Sequence, residues 1–204
     1  MTEALAQNPF DAEPPTRMAT LTGRFYLSDW NGRGLLLSHG DRGVTELQLG
    51  GSTGIDSLEV RTLFEEARVV RPRLDPTGEW LAYQATEGRG YGLYVRRAPD
   101  FLTRLRVVES DRFISPWWSP EGDSIYTENV GDGHLYVVPV RRGEGVSFGT
   151  PRRLFPSLSW YAPLPDGRGF VGTQEAERED GEGVPERHFL VVGWFDELRR
   201  RTGG

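Results

Sequence analysis

A turn motif that recurs at nearly constant spacing constrains the fold of this chain more than any other feature. Its three clear copies are L-D-P-T-G-E-W-L-A-Y (74–83), W-S-P-E-G-D-S-I-Y-T (118–127) and L-P-D-G-R-G-F-V-G (164–172). Their turn glycines, Gly78, Gly122 and Gly167, are 44 and 45 residues apart. A degenerate copy, D-W-N-G-R-G-L-L-L-S (29–38), puts Gly32 46 residues before Gly78. Such a period indicates one supersecondary unit per repeat.

The turn motif has a direct physical interpretation. Proline fixes φ near −65° at the second position of a type I turn, and glycine accepts the left-handed conformation that closes a three-residue hairpin loop. Apolar residues precede and follow each turn. Each copy therefore predicts a strand, a tight hairpin and a second strand.

Further apolar segments continue the repeat. Third-strand candidates lie around Leu47, Tyr94 and Tyr136 and at F-L-V-V (189–192). Outer-strand candidates are V-R-T-L-F (60–64), L-R-V-V (105–108) and P-R-R-L-F (151–155). Several strands are apolar at consecutive positions, which is typical of sheets buried on both faces. Four strands per unit predict an all-β chain, a β-propeller of about four four-stranded blades.

The last unit lacks a fourth strand after residue 193. The segment R-M-A-T-L-T (17–22) falls in register with the outer strands and would complete this blade, which removes two exposed sheet edges. Two arrangements stay open: a closed four-blade ring, or the C-terminal part of a larger propeller. The expected organisation is a disordered acidic tail over 1–15, blades over 16–193 with the closing strand at 16–22, and a short helix and tail over 194–204.

Composition excludes several functions. The chain has no cysteine, hence no disulfide or thiolate metal site, and its 24 basic residues are all arginine against 30 acidic residues, a net charge of −6. Such a chain is a poor candidate for binding nucleic acid. No signal peptide or membrane-spanning stretch is visible. A complete gene product of this kind is expected in the cytoplasm; a fragment of a longer protein would also fit a periplasmic or extracytoplasmic location.

The segment W-S-P-E-G-D-S-I-Y (118–126) resembles the W-S-P-D-G motif of TolB-like, WD-repeat-like bacterial β-propellers. The resemblance extends from about Phe25 to Arg201, and the ending L-V-V-G-W-F-D-E-L (190–198) is similar to the tails of propellers behind bacterial serine/threonine protein kinases and of free-standing relatives. Trp30-Asn31-Gly32 departs from the motif in the first copy, and Leu164 in the fourth. The resemblance implies a protein-interaction or sensory module and transfers no catalytic residues.

No catalytic, metal or cofactor motif stands out. The histidines, His39, His134 and His188, have no ligand-like spacing, and no G-x-S-x-G elbow occurs. The segment G-R-G-Y-G (88–92) is predicted to be a hairpin rather than a phosphate loop, because no helix follows it. The acidic run 175–183 is predicted to be a solvated loop. Inner strands offer only Asp29 and Asp75 as carboxylates, which argues against a propeller hydrolase with calcium in its channel.

The inner strands supply the candidate binding residues. Those expected at the channel mouth are Tyr26, Arg71, Arg73, Trp117, Trp160 and Tyr161. Aromatic and arginine side chains are natural anchors for an acidic or peptide partner. The sequence thus favours a non-enzymatic binding or scaffold module for a protein or peptide, without a cofactor. The alternatives are a regulatory or sensory portion of a larger enzyme, such as a membrane kinase, and a channel-site hydrolase.

Overall fold

The structure is a computed structural model of the 204-residue chain. It describes residues 2–6, 16–21, 25–30, 34–39, 43–50, 57–143, 145–157, 160–174 and 187–192. The chain divides into two compact units, Met1–Asp111 and Arg112–Gly204. All regular elements among the described residues are β-strands, which confirms the predicted all-β class.

The first unit contains two four-stranded blades and a two-stranded ribbon. The ribbon pairs β1 (Thr2–Ala6) with β2 (Thr16–Leu21). The first blade consists of β3 (Phe25–Trp30), β4 (Gly34–His39), β5 (Gly43–Gly50) and β6 (Ser57–Phe64). The second consists of β7 (Val69–Leu74), β8 (Trp80–Glu87), β9 (Gly90–Arg97) and β10 (Arg104–Arg106). In both blades each strand pairs antiparallel with the next along the chain, as in a propeller blade.

The second unit repeats this plan. Its first blade consists of β11 (Phe113–Trp118), β12 (Ser124–Asn129), β13 (His134–Arg142), β14 (Val146–Phe148) and β15 (Arg152–Pro156). Strands β14 and β15 pair with successive parts of β13 and together form its outer edge. The last blade consists of β16 (Trp160–Pro163), β17 (Gly169–Gln174) and β18 (Arg187–Val192). The predicted propeller blades are thus confirmed.

The first residues of the chain form a strand. The predicted tail over 1–15 contains a strand, Thr2–Ala6, whose backbone groups are satisfied by pairing with Thr16–Leu21. The segment predicted to complete the last blade therefore pairs with the chain's own beginning, and its closing role stays a prediction. The acidic loop 175–183 and the C-terminal helix 194–204 lie outside the described residues.

The predicted turn chemistry is present in all three clear copies. The amides of Gly78, Gly122 and Gly167 donate to the carbonyl oxygens three residues earlier at 2.9, 2.9 and 3.0 Å. The φ angles of these glycines are 74°, 70° and 69°, in the left-handed region. A residue with a Cβ rarely adopts this conformation, so glycine at these positions fixes the hairpin between the first two strands of each blade.

Polar side chains reinforce two of these turns. The buried carboxylate of Asp75 accepts from the Trp80 amide at 2.8 Å and from the Thr77 hydroxyl at 2.6 Å. Ser119 takes the equivalent place, and its Oγ accepts from the Ser124 amide at 3.1 Å. Leu164 has no such acceptor, yet the backbone bond of its turn is kept. The departure of Leu164 from the motif therefore removes a side-chain bond and leaves the turn.

Each unit has its own apolar core. The buried members of the first are Leu36, Val44, Leu63, Val69, Leu81, Tyr83, Ala85, Tyr94 and Phe101. Those of the second are Tyr126, Leu135, Val137, Tyr161 and Phe170. Both cores join residues from successive blades, so the hydrophobic burial that stabilises each unit also packs its blades together. Within the described residues, no helix is long and apolar enough to cross a membrane.

A charged cluster accompanies the first core. The carboxylate of Glu66, between β6 and β7, accepts from the Tyr83 hydroxyl and from Arg96 at 2.8 Å each, and from Arg104 at 3.0 Å. Arg96 also donates to the Phe101 carbonyl at 2.6 Å. Since Glu66 and Arg96 are largely buried, these bonds offset the cost of removing both charges from water. The cluster therefore holds the segment between the first two blades against strands β8, β9 and β10 of the second blade.

Aromatic rings complete the surroundings of this cluster. The Arg96 guanidinium carbon lies 4.5 Å from the centroid of the Phe64 ring, and that of Arg104 lies 3.6 Å from the centroid of the Tyr94 ring. Cations over aromatic faces are stabilised by the ring quadrupole. Charge and apolar packing are therefore combined at one place in the first unit.

Replacing Gly78 by alanine tests the turn geometry. An added Cβ would meet nothing within 4 Å, so the cost comes from the φ of 74° alone. We expect Gly78→Ala to lower the free energy of unfolding by about 1 kcal/mol in urea titrations. Gly143→Ala is the control, because its Cβ also meets open space and its φ is outside the left-handed region. Equal effects of the two changes would contradict this account.

Alkaline pH tests the buried tyrosines. Burial and the Glu66 hydrogen bond raise the pKa of Tyr83, and burial and Asp123 raise that of Tyr126. Unfolded tyrosine ionises near pH 10, so above about pH 10 the unfolded state releases protons that both folded side chains keep. The contribution of these tyrosines to the free energy of unfolding is therefore fully present below this pH. Above it, the free energy of unfolding falls by about 1 kcal/mol per pH unit for each tyrosine.

Urea unfolding at pH 9, 10 and 11 measures this slope. The chain contains no lysine or cysteine, so tyrosines dominate the titration in this range. Tyr83→Phe should reduce the slope, whatever its effect on stability at pH 7. A free energy of unfolding that stays constant from pH 9 to 11 would disprove the prediction.

Candidate functional site

A one-residue bulge interrupts the first strand, which is predicted to be the innermost, in three of the blades. The pairing skips Ser28 in β3, and in β7 and β11 the dipeptides Arg71-Pro72 and Ser115-Pro116 each stand opposite a single residue of the next strand. A bulge bends its strand and turns side chains away from the regular alternation. The innermost strands are therefore the places where these blades redirect side chains.

The bulges of β7 and β11 share an unusual backbone. Arg71 and Ser115 have φ angles of 56° and 57°. Left-handed conformations of non-glycine residues cost about 1–2 kcal/mol each. Because the same conformation recurs 44 residues apart, before proline in both strands, it belongs to the repeating blade architecture. The two positions differ in surroundings, since Ser115 is buried and Arg71 is exposed.

In the second unit, side chains satisfy the bulge. The Thr127 hydroxyl donates to the Ile114 carbonyl at 2.6 Å, and the Tyr161 hydroxyl donates to the Ser115 carbonyl at 2.7 Å. Tyr161 is 4% exposed and belongs to the core. It was predicted at the channel mouth as a partner-binding residue; instead its ring packs between blades, because its hydroxyl finds a buried acceptor there.

The two tryptophans of the predicted site also lie in the second unit. Trp117 is half-buried and packs against the core of that unit. Trp160 pairs through its backbone with Thr173, and its side chain lies outside the described residues. Among the aromatic candidates whose side chains the structure describes, Tyr26 has the largest exposed fraction, 50%.

In the first unit, the bulges bring polar groups together. Tyr26 and Asp29 stand opposite Ser38 and Leu36, which share one face of β4, so the bulge places both residues on one face of the sheet. Asp29 and Arg73 are equivalent, since each is the first paired residue after its bulge. Arg73 Nη1 lies 3.3 Å from Asp29 Oδ1. We call Tyr26, Asp29, Arg71 and Arg73 the inner-strand surface.

The carboxylates singled out in the sequence have defined partners. Asp29 forms the ion pair with Arg73, and its side chain is 22% exposed. Asp75 is buried and its oxygens face its own hairpin. Sequence reasoning identified both residues but missed the Asp29–Arg73 pair. The signal that could have indicated this pair is the opposite charge of Asp29 and Arg73 at equivalent positions of neighbouring repeats.

The remaining predicted features have structural roles. The segment 88–92 spans the β8–β9 turn and the start of β9, as predicted, and an added Cβ at Gly92 would lie 2.2 Å from the Tyr94 ring. His134 Nδ1 lies 2.7 Å from the Asp132 carbonyl, which makes it the donor, so Nε2 accepts from Arg153. Among the described residues, no three His, Asp or Glu side chains are grouped to hold a metal ion.

Tyr161→Phe tests the role of this side chain. The change removes the hydroxyl and leaves the Ser115 carbonyl without this donor in a buried place, so we expect a loss of about 1–3 kcal/mol in the free energy of unfolding. Tyr91→Phe is the control, because Tyr91 is 39% exposed. Its effect should stay within about 0.5 kcal/mol. A neutral Tyr161→Phe would show that the bond is unimportant for stability.

Similar solved structures were found, although no protein-family profile and no curated protein sequence matches the chain. A Bacteroides fragilis protein provisionally named 6-phosphogluconolactonase aligns over 74% of this chain and 47% of its own, with 12% identity and a TM-score of 0.51. TolB from Acinetobacter baumannii aligns over 82% and 53%, with 14% identity and a TM-score of 0.45.

A third similar structure is the β-propeller domain of the Trilobed protease from Pyrococcus furiosus. It aligns over 82% of this chain and 58% of its own, with 14% identity and a TM-score of 0.47. The chain thus spans about half of the length of each of these three structures. At these identities the similarity concerns the fold alone. TolB, whose family the sequence resembles, is among the similar structures. The successive antiparallel blades of the structure itself give the chain the fold of a β-propeller.

Proposed function

We propose that this chain is a non-enzymatic β-propeller module that binds a protein or peptide partner through the inner-strand surface. One observation carries the proposal: half-exposed Tyr26 and exposed Arg71 lie on neighbouring inner strands beside the Asp29–Arg73 ion pair. Tyrosine and arginine are the residues most enriched among binding hot spots. The surface therefore has the composition of a recognition site.

The supports of this surface are rigid. Strands β3 and β7 are innermost in blades whose next strands contribute Leu36 and Leu81 to the core. Side chains on such strands lose less entropy on binding than those on loops, because their backbone is already ordered. The bulges turn side chains away from the regular alternation of a strand, so these side chains can face a partner.

Binding is favoured over hydrolysis by the state of the carboxylates. A propeller hydrolase that uses its channel needs inward acidic side chains that can reach a substrate or metal. Asp29 is paired with Arg73, and Asp75 holds the amide of Trp80 and the hydroxyl of Thr77. Both carboxylates therefore have protein partners, which supports a binding module over a hydrolase.

A second candidate is a regulatory or sensory propeller portion of a larger protein, such as a membrane serine/threonine kinase. The observation that favours it is the extent of the similarity, which covers 47% of the Bacteroides fragilis protein. Intact-mass measurement of the protein in the cells that produce it tests this candidate. A mass near 23.0 kDa, that of this chain, would contradict it.

Peptide display against the whole chain tests the leading proposal. Peptides selected on the wild type should bind Tyr26→Ala and Arg71→Ala at least about tenfold more weakly, because hot-spot truncations cost more than 1 kcal/mol. Affinities are measured by fluorescence anisotropy. Tyr91→Ala and Arg97→Ala are matched controls, since both residues are exposed and lie on β9.

Two results would overturn the proposal. One is selected peptides that bind all four variants equally, since the inner-strand surface would then take no part. The other is robust ester or lactone hydrolysis by the purified chain that is lost in Asp29→Asn or Asp75→Asn. That result would make the carboxylates catalytic and the chain an enzyme.

A further inference from the structure

We propose that the inner-strand surface recognises a carboxylate of an acidic peptide segment, which replaces Asp29 as the partner of Arg73. This inference rests on the proposed function and names the chemical class of the partner. In the free protein, Asp29 stands where the ligand's carboxylate would bind. The exchange replaces one carboxylate on the guanidinium by another, so Arg73 has an ionic partner in both states.

The contact between Arg73 Nη1 and Asp29 Oδ1 is longer than a strong charge-assisted hydrogen bond. Its nitrogen–oxygen separation is 3.3 Å, whereas strong charge-assisted bonds between these groups measure about 2.7–2.9 Å. The same unit contains a contact of the strong kind, between Arg96 and Glu66 at 2.8 Å, which Tyr83 and Arg104 reinforce. The chain therefore has a tight ion cluster that supports the fold and a looser pair on its innermost strands.

The two ion pairs differ little in their own exposure. The side chains of Arg73 and Asp29 are 18% and 22% exposed, against 13% and 17% for Arg96 and Glu66, so the neighbouring residues distinguish the Asp29–Arg73 pair. Exposed Arg71 precedes Arg73 by two residues on β7, and Tyr26 lies on the same face of its sheet as Asp29. A peptide with several carboxylates can bind both guanidinium groups while its chain packs on the tyrosine ring.

Charge favours an acidic ligand once Asp29 is displaced. The carboxylate of Asp75 is directed into its hairpin, where an amide and a hydroxyl bind it. Asp29 is thus the acid that a ligand's carboxylate would displace from Arg73. Its replacement by asparagine keeps the shape, removes the negative charge and should strengthen the binding of an acidic peptide. A gain that exceeds the effect of the same charge change in Glu79→Gln, away from this surface, distinguishes the exchange from a general effect of net charge.

Calorimetry with acetylated hexaglutamate and hexaglutamine tests this exchange on the whole chain. We expect the wild type to bind the glutamate peptide and not the glutamine peptide, with weaker binding at higher salt. Asp29→Asn should tighten binding of hexaglutamate about tenfold, and Arg73→Gln should weaken it about tenfold. Arg71→Gln, at an exposed position, provides a second variant that disturbs folding less.

The surface pair Glu79–Arg97 supplies matched controls. Its contact measures 2.7 Å and its side chains are 41% and 52% exposed, so Glu79→Gln and Arg97→Gln make the same charge changes elsewhere. These variants should bind like the wild type. Equal affinity for both peptides, no binding of hexaglutamate, or no gain in Asp29→Asn would overturn the inference. If displayed peptides without acidic residues still depend on Tyr26, the proposed function holds while the carboxylate exchange fails.

Discussion

The largely buried carboxylate of Glu66 is the constraint on which the first unit depends. A charge removed from water is costly unless several donors surround it, and here Tyr83, Arg96 and Arg104 supply them. These donors come from three strands of the second blade, whereas Glu66 follows the last strand of the first. The stabilisation of the buried Glu66 carboxylate therefore depends on the correct placement of both blades. Phe64 and Tyr94 add ring contacts to the same guanidinium groups.

The second unit solves a similar problem without ions. There the carbonyl groups of Ile114 and Ser115, at the bulge of β11, accept hydrogen bonds from the hydroxyls of Thr127 and Tyr161. The equivalent bulge of β7 carries an arginine at an exposed position. The same kind of bulge thus supports packing in the blade of β11 and carries an exposed arginine in the blade of β7. This difference is why the proposed recognition surface lies in the first unit.

Sequence reasoning succeeded where local chemistry decides the structure. Pro76 and Gly78 predict a tight hairpin because their allowed φ angles admit few alternatives, and the same holds for the other clear copies. The loops have four residues rather than the expected three, since the amides of Asp75, Ser119 and Leu164 donate to the carbonyls of Trp80, Ser124 and Gly169. It failed for Tyr161, whose exposure depends on a carbonyl 46 residues away. It also missed the Asp29–Arg73 pair, because residues 44 apart in sequence meet only when blades stack. Thr2–Ala6 was expected to be disordered, since pairing with a distant partner leaves no local signal.

The sequence by itself determined the repeat, the turn chemistry, the all-β class and the residues of the inner strands, because each depends on backbone preferences within a few positions. The tertiary structure decided which of these residues face outward. Strict alternation would put Tyr26 and Asp29 on opposite faces of the sheet, and the bulge at Ser28 puts them on one. A single extra residue in the pairing reverses the face of every side chain after it. Strand pairing, rather than composition, therefore set the surface that this protein presents.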